Sequence, residues 1–441
     1  MIERLGGLFT RIAHRYAPHP FVFAILLTLL TFALGLLWTR TAPSALLSAW
    51  YTGFWNPSLL TFALQMALIL VTGHALAETG PVRGALGRLA RLARGTRSAT
   101  AITALTAMLA ALLNWGLGLI VGALLAREMA RTASRQGRRI HYPLVGAAGY
   151  MGLMIWHGGL SGSAPLSVAT PGHPLEAVMG LIPIRLTLLS PLNLAVNLFL
   201  LVSVPILLAL MAPKDAARIE TAPPMDDEID LPEVTGPRTP AAALENSRAL
   251  ALLTVLAGLL YLVPHYARMG WNGINLNAVI FTFLLAGLLL HGTPARYAHS
   301  IDRAAKGAGG ILLQFPFYFG IMGLMQGTGL IEKLADLAVG SAEAMARGGI
   351  PIGPAYDILT FLSAAVVNLF VPSGGGQWAV QGPIAVEAAR RLGTNLPETV
   401  MALAYGDQIT NMLQPFWALP LLAVTRLEAR QIVGYTGLVM F

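Results

Sequence analysis

The chain has 441 residues, 55% hydrophobic and only 11% charged, with a mean hydropathy of +0.65. A soluble domain carries roughly 25% charged residues, so an ordinary water-soluble fold is excluded and lipid is the expected solvent. The formal charge of +8 sits in arginine-rich loops between apolar runs, which marks membrane orientation rather than a nucleic-acid surface.

Cysteine is absent, which removes disulfides, Cys-ligated zinc and thiol catalysis. Met1–His19 is basic and amphipathic and reads as no cleavable signal. The first expected span is Pro20–Trp38; the second, Pro57–Leu76, leads into Arg83, Arg88, Arg91, Arg94 and Arg97. Cytoplasmic loops collect Lys and Arg, so the N-terminus is expected in the cytoplasm, with the chain crossing out and back. The apolar stretch Ser98–Leu125 is then followed by Arg127, Arg131, Arg135, Arg138 and Arg139. Both flanks are basic, yet the stretch is too short for two spans of about 20 residues each. A re-entrant helical hairpin with its tip at Asn114-Trp115-Gly116-Leu117-Gly118 satisfies both constraints. Such a tip survives at membrane depth only inside protein or beside a water-filled cavity.

Tyr142–Thr170 is interrupted by Gly158-Gly159-Leu160-Ser161-Gly162-Ser163-Ala164-Pro165. Glycine and proline weaken a helix there, so the segment reads either as unwound or as close packing through small residues. Pro191–Met211 returns to the cytoplasm, and 212–248, with Asp226-Asp227-Glu228, reads as a solvated linker. The second half offers Leu250–Val263, Leu276–Leu290 and Ile311–Met325 as spans, a polar outer segment Thr328–Gly349, a second hairpin at 356–388 and a second broken span at 396–424. Gln431–Phe441 is too short to cross.

The halves align on themselves. Leu105-Thr106, Ala110-Ala111 and Asn114 keep the spacing of Leu359-Thr360, Ala364-Ala365 and Asn368. Tyr150, Pro165 and Thr170 keep that of Tyr405, Pro420 and Thr425, and Gln65 with Thr79-Gly80 matches Gln314 with Thr328-Gly329. The expected fold is therefore an all-α polytopic membrane protein of two inverted-topology repeats, 1–211 and 249–441, joined by a cytoplasmic linker at 212–248. Each half carries a re-entrant hairpin (98–126 and 356–388) and a broken helix (142–170 and 396–424). In secondary transporters built this way the site lies at the midplane, between the repeats.

No Walker glycine loop, His-Glu-x-x-His or nucleophile elbow is present, which disfavours ATP-driven pumping and proteolysis. The polar groups at depth are Asn114 at one tip, Ser161 and Ser163 in one break, and Ser373, Gly374, Gly375, Gly376 and Gln377 at the other tip. Asp407, Gln408, Thr410, Asn411 and Gln414 fall in the other break. Half-helix N-termini converging there can hold a carboxylate without a buried arginine, and Trp115, Trp378, Phe416 and Trp417 could line a short acyl chain. Asn114 and Asn368 read equally well as helix caps. Asp407 is the principal ionisable residue inside an expected span, a candidate for Na+ or proton binding or for tying a tip. His157 is a proton-carrier candidate or a hydrogen-bonded packing residue. His74 reads as interfacial, and Gln65 and Gln314 as helix ties or substrate contacts.

Several motifs resemble those of the short-chain fatty acid transporter family, the acetoacetate and butyrate uptake carriers. They are Phe62-Ala63-Leu64-Gln65-Met66-Ala67-Leu68, Val71-Thr72-Gly73-His74, Asn114-Trp115-Gly116, Ser161-Gly162-Ser163, Ala169-Thr170-Pro171-Gly172, Val371-Pro372-Ser373-Gly374-Gly375-Gly376, Gln381-Gly382-Pro383 and Gln414-Pro415-Phe416-Trp417-Ala418-Leu419-Pro420. The likeness runs to about Tyr435, beyond which the family's further span is expected to be incomplete here. It implies proton- or sodium-coupled uptake of short monocarboxylates across a bacterial inner membrane, with no cofactor beyond the coupling ion and no nucleic-acid partner. The two-hairpin plan is more distantly similar to ion-transporter-superfamily carriers that work as homodimers by an elevator motion, an analogy of fold alone. A Na+/H+ antiporter or dicarboxylate carrier of the same fold is the alternative. A membrane enzyme would need a catalytic pair at depth, and the sequence shows none.

Overall fold

The computed structural model describes residues 20–223, 239–369 and 371–441, and among them every regular element is helical. The N-terminal stretch 1–19, the linker acids Asp226–Glu228 and the side chain of Phe416 lie outside the described residues. Among the described residues, five helical stretches are long and apolar enough to cross a membrane: Pro57–Ala77, Thr96–Leu113, Pro191–Leu210, Arg248–Gly273 and Pro294–Thr328. Shorter apolar helices cover Phe21–Leu37, Leu276–His291 and Ile352–Asn368. This is a polytopic membrane protein.

The helix starts are written locally. Asn56 caps Pro57–Ala77 by accepting from the amides of Ser58 and Leu59, Ser190 caps Pro191–Leu210, and Asn275 caps Leu276–His291. Each cap satisfies amides that would otherwise be orphaned, an effect of about 1 kcal/mol. Two segments expected as polar connections are amphipathic helices instead: Gly80–Leu92 and Leu330–Arg347. In the first, Leu86 and Ala90 are buried while Arg88 and Arg91 face outward. The charges that suggest a loop are thus one face of a helix.

Thr96–Leu113 and Trp115–Arg135 form a helical hairpin that turns on one extended residue, Asn114. Its far ends meet: Arg138 Nη1 donates to the Ala93 carbonyl at 2.9 Å, and the His141 amide to Thr96 Oγ1 at 3.0 Å. The basic flanks of this hairpin therefore share one end of the molecule. The second hairpin runs Ile352–Asn368 and Gly374–Leu392, closed by Tyr356 Oη donating to the Ala385 carbonyl at 2.8 Å.

Two helices are interrupted. Tyr142–Tyr150 gives way to tight turns at Met151–Met154 and Trp156–Gly158 before Ser163–Val168 resumes. Unwinding thus starts at Met151, ahead of the glycine-serine run. Leu396–Thr410 gives way to a turn at Asn411–Leu413 before Pro415–Thr425, so Asp407 and Gln408 occupy the last helical turn rather than the break. The closing helix Ala429–Met440 packs on Tyr142–Tyr150, with His141 Nε2 2.8 Å from Tyr435 Oη.

The packing of the outer helices is reciprocal. Pro20–Leu37 and Pro43–Phe54 pack on Gly309–Thr328, while Leu276–His291 and Pro294–Ala305 pack on Pro57–Ala77. Gln65 Nε2 donates to Asn277 Oδ1 at 2.7 Å across the latter contact, so this glutamine is a helix tie. Gln314 accepts from Tyr318 Oη at 3.4 Å within its own helix. Pro57–Ala77 also packs on Trp115–Arg135, and Gly309–Thr328 on Gly374–Leu392. These two helices form the walls against which the hairpins rest, and the broken helices pack on the hairpins.

Candidate functional site

Each hairpin tip is tied to a break. At the first, Asn114 accepts from the Leu117 amide at 3.0 Å and donates through Nδ2 to the Ile69 carbonyl at 2.9 Å. Ser161 Oγ accepts from the Trp115 amide at 2.8 Å. At the second, Asn368 Nδ2 reaches the Asp407 carbonyl at 2.5 Å, Thr410 Oγ1 at 2.9 Å and Asn411 Oδ1 at 3.1 Å. Gln414 Nε2 donates to the Asn368 carbonyl at 2.6 Å. These buried bonds, each about 1 kcal/mol net, hold unwound backbone that lipid could not solvate.

Two tyrosines brace the breaks. Tyr150 Oη donates to the carbonyls of Asn411 and Gln414, at 2.9 and 3.1 Å. Tyr405 Oη donates to Asn193 Oδ1 at 2.9 Å, and Asn193 and Asn197 each donate to the Gly158 carbonyl at 3.0 Å. Each tyrosine therefore serves the break in the opposite half of the chain.

Between the tips lies a narrow cavity with about 20 Å³ of water-accessible space. Trp115, Trp156, Phe315 and Trp417 form its aromatic wall, and Met66, Leu153 and Ile311 complete the apolar lining. Trp115 and Trp417 meet edge to face at 5.3 Å. The polar lining is Ser163, Ser373, Asn411 and the glycines Gly374 and Gly375. Among the described residues, no Lys, Arg, Asp or Glu lines it.

The glycines supply the electrophilic patch. Ser373 caps the helix Gly374–Leu392, its Oγ accepting from the Gly376 amide at 3.2 Å and its carbonyl from the Gln377 amide at 2.7 Å. The first amides, of Gly374 and Gly375, have no intrahelical acceptor and lie at the positive end of the dipole of a 19-residue helix. Side chains are excluded there. A Cβ on Gly374 would lie 2.5 Å from His157 Nε2, and one on Gly375 2.9 Å from Phe315 Cζ.

Behind Gly374 sits a pair that spans the halves of the chain. His157 Nε2 is 2.8 Å from Asp407 Oδ2, and both side chains are essentially solvent-free. The imidazole N–H is not aligned along that line, and His157 Nδ1 and Asp407 Oδ1 have no hydrogen-bond partner among the described residues. The His157 amide donates to Gln408 Oε1 at 3.2 Å. Unpartnered polar atoms on a buried pair of ionisable groups are costly, which marks the pair as a functional candidate.

The structure thus gathers Ser163, Ser373, Gly374, Gly375 and Asn411 on the cavity, with His157 and Asp407 directly behind. Asn114, Ser161, Asn368, Gln408 and Gln414 serve as the ties that fix its frame. Gln377 points elsewhere: its Nε2 donates to the Ala364 carbonyl and to Gln381 Oε1, both at 2.9 Å, inside the second hairpin. Trp378 is buried against Gly382 of its own helix and is not on the cavity wall. Trp156, Leu153, Met66, Ile311 and Phe315 were not legible as lining residues. The only local signal for Trp156 is its place beside His157.

A bundle of apolar helices with paired helical hairpins and interrupted helices, closing on a small amphipathic cavity, is the build of a membrane transporter. Its fold is similar to that of the Alcanivorax borkumensis YdaH transporter, with a TM-score of 0.59, 15% identity and 96% of each chain covered. A family model described as "Short chain fatty acid transporter" matches residues 1–441, and the chain belongs to that family. It is similar to a protein of Escherichia coli (strain K12), provisionally named a short-chain fatty acid transporter. The two are 41% identical over 99% of this chain and 96% of that one. A Haemophilus influenzae relative with the same provisional name is 37% identical over the same shares. The family is one of transporters, not enzymes.

Proposed function

We propose that this chain carries short-chain monocarboxylates such as butyrate and acetoacetate inward across a bacterial inner membrane, coupled to protons through His157 and Asp407. One observation carries the reading: the helix start at Gly374 and Gly375 lines the same cavity as four aromatic rings, with the buried His157–Asp407 pair immediately behind it. The amides suit a carboxylate head, and the rings suit a chain of a few carbons. A dicarboxylate would want a second cationic or dipolar anchor, and the lining among the described residues holds no Lys or Arg. His157 stands where a sodium ion on Asp407 would need room, which favours a proton over Na+.

The reciprocal packing of the outer helices and the opposite-half bracing by Tyr150 and Tyr405 support two inverted repeats, 1–211 and 249–441. The hairpins are read as re-entrant. Arg127 follows Asn114 by 13 positions, about 20 Å of helix rise, less than a core roughly 30 Å thick, which supports a tip held inside the membrane. With arginine-rich ends inside, the N-terminus is cytoplasmic. In this reading the hairpins and broken helices move together past the Pro57–Ala77 and Gly309–Thr328 walls, as an elevator in a homodimer.

Proteoliposome uptake of labelled acids from acetate to hexanoate, under imposed pH or Na+ gradients, tests this. Uptake should peak at three to five carbons and follow the proton gradient. Asp407→Asn and His157→Asn should lose concentrative uptake yet keep counterflow exchange. Concentrative uptake by Asp407→Asn, or uptake driven by Na+ alone, would refute the coupling; no monocarboxylate transport at all would refute the substrate.

A further inference from the structure

A second cavity, of about 440 Å³, opens where Pro57–Ala77 ends against Pro294–Ala305. Its charged walls are Glu78, Arg296, Arg303, His291 and His299, and Leu290 forms part of its lip. Glu78 is fully engaged: Oε2 accepts from Ser300 Oγ at 2.6 Å and from Arg303 Nη2 at 2.5 Å, and Oε1 lies 3.5 Å from His74 Nε2. Burial alone would raise its pKa. Hydrogen bonds from His74 and Ser300 and the charges of His74 and Arg303 outweigh this and bring it down to about 2. Glu78 therefore stays ionised at physiological pH and balances one guanidinium, that of Arg303.

Arg296 has no such balance. Its backbone amide is capped by Thr293 Oγ1 at 3.4 Å, and its exposed guanidinium has no ion-pair partner among the described residues. With His299 exposed and His291 buried on the same wall, the cavity carries net positive charge whatever the state of the histidines. Two helices also start at it, Gly80–Leu92 and Pro294–Ala305, adding positive dipole ends. The lip residue Leu290 and its neighbour Leu289 are exposed apolar side chains closing an apolar helix. A ligand with a phosphate head and an apolar tail fits a basic cavity with such a lip.

We infer that this cavity binds the phosphate head of an anionic phospholipid, at a site separate from the transport cavity. Its role is to fasten Pro294–Ala305 to the end of Pro57–Ala77, one of the walls past which the transport elements move. Free phosphate shares the head-group chemistry but would gain nothing from the apolar lip.

Native mass spectrometry of the delipidated full chain, titrated with phosphatidylglycerol, phosphatidylcholine or inorganic phosphate, tests the inference. Phosphatidylglycerol should bind at least five-fold tighter than phosphatidylcholine. Arg296→Gln should weaken it about five-fold, the effect of one surface arginine, and Arg296→Glu should weaken it further. Both variants alter an exposed side chain and should melt at the parental temperature. Equal binding of the two lipids, or unchanged phosphatidylglycerol binding in Arg296→Glu, would overturn the site. Inorganic phosphate binding as tightly as the lipid would overturn the lipid assignment.

Discussion

Gly374→Ala probes the junction of tip, cavity and buried pair with one added carbon. The new Cβ would lie 2.5 Å from His157 Nε2 and 2.8 Å from both His157 Cε1 and Trp156 Cη2, where ordinary contact begins near 3.4 Å. The imidazole must therefore retreat by about 0.9 Å, yet it is solvent-free and has nowhere open to go. Overpacking of this kind costs about 1–3 kcal/mol, partly offset by alanine's advantage over glycine in a helix of up to about 1 kcal/mol. The net loss of stability should thus be small, about 0–2 kcal/mol. Function should suffer far more. A shift of that size takes the ring off its 2.8 Å contact with Asp407, and misplacing a working group by about 1 Å can cost on the order of 100-fold in rate. Gly353→Ala is the control, because a Cβ there meets nothing within 4 Å. Butyrate uptake under a proton gradient and a thermal melt of the same preparations make the assay. Parental concentrative uptake in Gly374→Ala would refute the placement of His157 against the glycine tip, and so would an equal loss in Gly353→Ala.

Trp417→Ala removes a ring from the cavity wall and should shift preference toward longer acids. Filling the space with two extra methylenes is worth about 1.6 kcal/mol, so the hexanoate-to-butyrate uptake ratio should rise about 15-fold; an unchanged ratio would place Trp417 outside the substrate's reach. Tyr150→Phe strips a donor from two buried carbonyls and Tyr405→Phe from Asn193. Each should lower thermal stability by about 1–2 kcal/mol, with Tyr150→Phe the larger, and melts matching the parent would mean that the breaks do not depend on these braces. Arg94→Cys and Arg135→Cys, in a chain with no native cysteine, should both react with an impermeant maleimide from the same compartment. Reaction from opposite compartments would rule out a re-entrant first hairpin.

What was written locally could be read locally. Span positions follow from hydropathy, helix starts from Asn and Ser caps, and the first hairpin's apex from basic flanks around a stretch too short to cross twice. The same signals misjudged Gly80–Leu92 and Leu330–Arg347, because charges spaced along one helix face look like loop composition until periodicity is weighed. They also placed the first break late. Glycine and proline mark where a helix is weak, while Tyr150 and the asparagines on Gly158 determine where unwound backbone finds partners.

Side-chain direction was beyond the sequence. In a water-soluble protein the apolar face of each helix announces the core, but in lipid a helix is apolar all round and that asymmetry vanishes. Hence Gln377 and Trp378 beside the glycine tip looked like site residues and face the hairpin's own interior, while Met66, Trp156 and Phe315, which were not singled out as site residues, line the cavity. The sequence by itself determined a membrane protein with two polar tips and two weak points in its helices. Only tertiary packing decided that His157 from one half meets Asp407 from the other behind Gly374, because contact between such distant positions depends on how the two halves interlock.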